Sequence, residues 1–262
     1  MENKKRVRGV LICMVIALAL LVGIILLGGS EKHETIQEAM RDAVLHDVNR
    51  ISFLGMKVTP SVISGFVVTG ILLLFALVLR IFVIPHFKMK PGKFQLLIEE
   101  WVGFFENLAK KNSPHRNGFL GAYLFAAGTY IFVGTCFELF GMQAVTNQGH
   151  SISLPAPLAD INGAIVMGCL SYLIILSGGI AGNGMKGVGK TLKDFSLPIS
   201  MSFRLFGALL SGMLVTELVY YYIQLSFVLP VVVGILFTLL HALIQTYVLT
   251  MLTATFYGEV AE

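Results

Sequence analysis

The chain has 262 residues, of which 56% are hydrophobic and only 13% charged, against roughly 25% charged in a soluble domain. With a mean hydropathy of +0.81, this composition excludes a water-soluble globular enzyme and predicts an all-α integral membrane protein. The net charge of +4 sits in particular loops, so it reports topology and not a nucleic-acid surface.

Apolar runs long enough to cross a ~30 Å hydrocarbon core occupy about 9–28, 61–84, 118–140 and 161–182. A long apolar region, 196–258, follows and is broken near Ser226 to Pro230. It holds two helices longer than a perpendicular crossing needs, and long spans tilt. About six apolar helices are therefore expected, the last two forming a long slanted hairpin. The first run has a basic start, but it is long for the apolar part of a signal peptide and no Ala-x-Ala site follows it. Residues 1–60 read as an added membrane helix with an outer segment, and 61–262 as the main domain.

Bases outside the spans set the orientation. One side receives Lys4, Lys5, Arg6 and Arg8, then Lys88, Lys90, Lys93, Lys110, Lys111 and Arg116, then Lys186, Lys190 and Lys193. The other side holds Lys32, Arg41, Arg50 and Lys57, offset by five acids. By the positive-inside rule both termini are cytoplasmic. Arg80, near the inner end of the second span, snorkels toward the same side.

After the turn Pro91-Gly92-Lys93, the residues Phe94, Leu97, Ile98, Trp101, Val102, Phe105 and Leu108 recur at helical spacing. This predicts an amphipathic helix. It suits either the inner membrane interface, with Trp101 at headgroup level, or packing on its own protein.

Gly184-Met-Lys-Gly-Val-Gly189-Lys190-Thr191 matches the P-loop expression. A P-loop needs a buried strand before it and a helix after it. A membrane span precedes this one, so the segment reads as a flexible, basic cytoplasmic loop. Cys13, Cys136 and Cys169 lie in apolar stretches with no ligand spacing. They read as packing residues; no metal site and no cofactor is expected.

Arg204 lies within Ser196 to Leu229, where Glu217 is the sole other charged residue. A guanidinium at the centre of a membrane helix costs about 2.5–3.5 kcal/mol on insertion scales, and it cannot shed its proton. It must face protein, water or an anion. Gly207, Ala208 and Ser211, at i+3, i+4 and i+7, share its face. Such small residues let another helix approach closely, so this face predicts an intermolecular contact. On the last helix Thr238, His241 and Gln245 share a face. A hairpin brings His241 to the depth of Glu217, as a proton-passing pair or a static ion pair. Glu138 ends the third span and Asp160 begins the fourth, with no base between them. They make either a cation-attracting outer mouth or solvated helix ends, Asp160 being placed to cap the helix that starts at Ile161.

These residues resemble the membrane-embedded a subunit of F-type ATP synthases, bacterial type, over roughly residues 60–258. The motifs, in family order, are Lys90-Pro-Gly-Lys-Phe-Gln95, Pro157-Leu-Ala-Asp160-Ile-Asn162, Ser202-Phe203-Arg204-Leu205-Phe206-Gly207 and Ala242 to Thr253. The resemblance implies a non-catalytic subunit of the bacterial plasma membrane, partnered by a ring of carboxyl-bearing c subunits and by the b subunits of the peripheral stalk. It implies that H⁺ or Na⁺ reaches the ring through two offset aqueous half-channels separated by Arg204, with Gln245 near the arginine. Ala208 stands where the family usually has Asn, and Met213 and Thr238 where it tends to carry an acid or His; Glu217 and His241 follow them by about one turn. The other reading weighed is a stand-alone secondary transporter, whose usual inverted repeats are not found in this chain.

Overall fold

The computed structural model describes residues 51–53, 56–115, 117–145, 151–221 and 234–262, with Val15, Val22 and Val232 as isolated helical positions. The expected first span, 9–28, and the break near Ser226 to Pro230 lie outside these residues. Five helices among the described residues are long and apolar enough to cross a membrane: Pro60–His86, Asn117–Phe140, Ile161–Lys193, Ser196–Thr216 and Gly234–Ala261. They correspond to the five later spans read from the sequence. Two small antiparallel ribbons accompany them, β1 (Ile51–Phe53) with β2 (Met56–Val58) and β3 (Gln143–Val145) with β4 (Ser151–Ser153).

Helix α1 (Pro60–Val78) starts with Pro60 at its first position, where a missing N–H costs nothing. It continues through a π turn and a 3₁₀ turn to His86. Only its first turns, at Ser61, Ser64 and Val68, are buried in the bundle. Leu73, Leu74, Leu77 and Phe82 are exposed, as suits a helix facing lipid on most sides.

Helix α2 (Lys93–Asn112) is the amphipathic one. It packs along α3 (Asn117–Phe137) with Phe105 and Ala109 fully buried. Trp101 does not reach for headgroups. Its indole Nε1 donates to Thr129 Oγ1 at 3.0 Å, and its ring meets Phe105 edge-on. Of the two readings open from the sequence, Trp101, Phe105 and Leu108 adopt packing on the protein, while Phe94, Leu97 and Val102 stay exposed. Gly128 allows it, since a Cβ there would overlap the Phe105 ring.

Helix α4 (Ile161–Lys193) corrects the sequence reading of residues 183–195 as a flexible loop. Gly184 alone leaves helical geometry, at φ 55°, and the chain then resumes as helix to Lys193. That left-handed turn folds the second arm back on the first. Gly179 and Gly187 meet backbone to backbone, and Tyr172 Oη donates to Thr191 O at 3.1 Å. The glycines that read as a loop signal are there for close approach. No strand precedes the segment, so the P-loop reading fails on structure as well.

Helix α5 (Ser196–Tyr221) crosses α4, and Gly168 of α4 admits Ser202 and Pro198 where a Cβ would overlap both. Helix α6 (Leu239–Ala261), preceded by the π turn Gly234–Thr238, packs on both α3 and α4. Leu120, Leu124, Ile131, Ile175, Met201 and Leu205 centre the common core. At one end of the bundle Asn183 Nδ2 donates to Val260 O at 2.9 Å and Lys190 Nζ donates to Glu259 O. The Glu262 side chain accepts from Ser113 Oγ and from the His115 backbone N–H. Three segments that the basic-residue pattern assigns to one side thus meet at one end.

Candidate functional site

Helix α5 divides into two faces. Met201, Ser202, Leu205 and Leu209 are buried against the bundle, the i, i+4, i+8 stripe expected of a packed helix. Phe203, Arg204, Gly207 and Ser211 are exposed on the other face, with Ala208 half-buried at its edge. Among the described residues, nothing beyond the surrounding turns of α5 itself lies within 4 Å of a Cβ built on Gly207 or on Gly212. Ser211 Oγ spends its proton on Ala208 O at 2.8 Å. Among the described residues no carboxylate lies within ion-pair distance of Arg204. A permanent cation therefore stands on a smooth, narrow face that the packing of the described residues leaves open.

Gln245 sits on the packed side of α6 at 6% exposure, in the buried row Ala242, Thr246, Leu249 and Thr253. His241 is half-buried one turn earlier. Its Nδ1 lies 2.7 Å from Phe237 O, and the imidazole stacks on the Phe237 ring. A carbonyl only accepts, so Nδ1 carries the proton of that bond and Nε2 is free to face a further partner. The π turn just before α6 widens the helix at this point, a local device often found at functional sites. Glu217 lies on α5, but its side chain falls outside the described residues, as does the expected Glu217–His241 pairing.

At the other end of the bundle, Asp160 is buried and spent. Oδ1 accepts the Asn162 N–H at 2.8 Å, and Oδ2 accepts the Thr59 hydroxyl at 2.6 Å. It caps α4 and ties it to the start of α1. Glu138 occupies a 3₁₀ turn that closes α3; its carbonyl accepts the Gly141 N–H, and its half-buried carboxyl has no hydrogen bond or ion pair among the described residues. Leu139 beside it touches the Gly234 turn that leads into α6, and Pro157 packs on Gly134, one turn earlier on α3. Thr59 is the polar partner that sequence reading missed. A Thr before Pro60 hinted at a helix start, but nothing marked a contact with a residue 101 positions later.

Residues 62–258 match the family model described as ATP synthase A chain. The chain belongs to that family. One similar relative is the ATP synthase subunit a of Cereibacter sphaeroides (strain ATCC 17025 / ATH 2.4.3), 24% identical over 181 residues, covering 64% of this chain and 69% of that one. Membership makes the chain a multi-pass, non-catalytic stator subunit of the membrane (Fo) sector, working in a complex with other Fo subunits. The match reaches into all five membrane-length helices and leaves residues 1–61 and 259–262 outside it.

Proposed function

We propose that this ATP synthase A chain is the ion-translocating part of the stator, with the Arg204 face of α5 pressed against a rotating ring of c subunits. H⁺ or Na⁺ enters from the outer side past Glu138 and Asp160, neutralises a ring carboxylate, and leaves to the cytoplasm by a second, offset path. A neutralised carboxyl can turn through lipid. When it reaches Arg204, the fixed positive charge favours its ionised form and drives the ion off. The same charge repels cations that would otherwise run straight from one path to the other.

Moving one charge across ~100 mV releases about 2.3 kcal/mol, and rotation passes that energy to ATP synthesis elsewhere in the complex. Gln245, packed one helix away, and the His241 Nε2, with Glu217, are the polar groups assigned to the ion path. The b subunits of the peripheral stalk hold the chain still, and both termini face the cytoplasm of a bacterial plasma membrane.

The carrying observation is the exposure of Arg204 on a face of small residues with no carboxylate within ion-pair distance among the described residues. The test is Arg204→Ala in the assembled complex in vesicles. Ion-driven ATP synthesis falls to background while the complex still assembles, and passive ion leak rises. Retained coupling would contradict the proposal.

A further inference from the structure

Between α2 and α6 runs a groove of about 780 Å³, within the range of about 300–1,000 Å³ that holds small ligands. Leu96, Leu97, Trp101, Phe104, Leu243 and Tyr247 supply its walls, and several of them are half or more exposed. An apolar trough of this kind takes a hydrocarbon chain.

One end of the groove is basic. Lys93 lines it from the first turn of α2, a turn with no acidic residue. Gly92 offers no side-chain cap there, so the first N–H groups of a 20-residue helix stay unspent, a position that favours anions. The Gln95 carboxamide clasps the preceding loop, accepting from the Lys88 N–H at 3.1 Å and donating to Lys88 O at 3.0 Å. That clasp holds the loop carrying Lys88 and Lys90 beside the same turn. The opposing charge is modest. Glu99 accepts from Gln95 Nε2, and Glu100 also lines the groove, but seven residues beyond Lys93, about 10 Å along the helix axis.

We infer that this groove binds an anionic phospholipid of the inner leaflet, with one acyl chain between α2 and α6 and its phosphate at Lys93 and the first turn of α2. The charge pattern of the chain puts this end of α2 on the cytoplasmic side, where anionic lipids attract bases. The inference stands apart from the ion path: a chain that failed to translocate ions would still present the groove.

The test uses the assembled complex in nanodiscs containing phosphatidylglycerol with a photoreactive group on one acyl chain. Mass spectrometry of the digested chain reads the adducts. Adducts are expected within residues 93–104 and 243–247, at least fivefold fewer in Lys93→Gln, and fewer again in Leu97→Trp, which fills the trough. Lys93→Arg restores labelling. Equal labelling by the matching phosphatidylcholine probe would overturn the inference, as would adducts indifferent to both substitutions. Cross-linking of the groove to another subunit in place of lipid would overturn it too.

Discussion

Arg204 carries a fixed charge, because a guanidinium is not deprotonated in proteins. Its counter-charge must come from outside the described chain. Sequence alone made this legible, because a lone base in an apolar run has few places to go. Asp160 was legible only in part. Its spacing to Asn162 announced a helix cap, and the second oxygen's bond to Thr59 depended on a contact that no local pattern encodes. Asp160→Ala therefore loses the cap, about 1 kcal/mol, and strands the Thr59 hydroxyl, so the melting temperature of the purified complex falls. Asp160→Asn, which still accepts the Asn162 N–H, recovers most of that loss. Glu262 gives a pH dependence. The His115 side chain and then its backbone N–H hold the Glu262 carboxyl below its ordinary 4.5. A depressed carboxyl steadies the folded contact above its unfolded value and loses that effect as pH falls through the folded one. Protection of the amides in residues 255–262, corrected for the intrinsic pH dependence of exchange, should thus fall as pH drops below about 4.5, and Glu262→Gln should be weakly protected on both sides of that point.

Among the elements, α5 reads from the sequence almost as it folds. The same 3.6-residue period separates Met201, Leu205 and Leu209 from Arg204, Gly207 and Ser211. Helix α4 does not. Four glycines between 182 and 189 weaken helix propensity, and only the contact between the two arms, a tertiary effect, keeps the segment helical. One left-handed residue makes the reversal. Gly187→Leu would drive a side chain into the Gly179 backbone, and such overpacking typically costs about 1–3 kcal/mol. The expected result is a lower yield of assembled complex, with limited proteolysis newly cutting between 184 and 195. Unchanged proteolysis would show that the arms do not depend on that contact.

For the molecule as a whole, hydropathy placed Pro60–His86 and Asn117–Phe140 within a few residues, because each span must satisfy its backbone internally while covering a hydrocarbon core. It ended the next span at 182 where the helix runs to Lys193, and it gave the last two only as one apolar region. What hydropathy could not give is which side of each helix meets protein. That information lies in the glycines at 128, 168 and 187 and in the Trp101–Thr129 bond, where shape and not polarity decides the partner. The Glu217→Gln, His241→Ala double variant is expected to lower ion-driven ATP synthesis several-fold, measured in vesicles. Full activity would remove both residues from the ion path. The central claim is that the Arg204 face meets a rotor. Disulfide trapping in the assembled complex tests it most directly, with Gly207→Cys or Ser211→Cys paired against cysteines placed along the outer helix of the c subunit, and Leu73→Cys on α1 as control. Rapid cross-links from 207 and 211 at the depth of the ring carboxylate, and none from 73, are the predicted result. Cross-links from 73 with none from 207 or 211 would contradict the account.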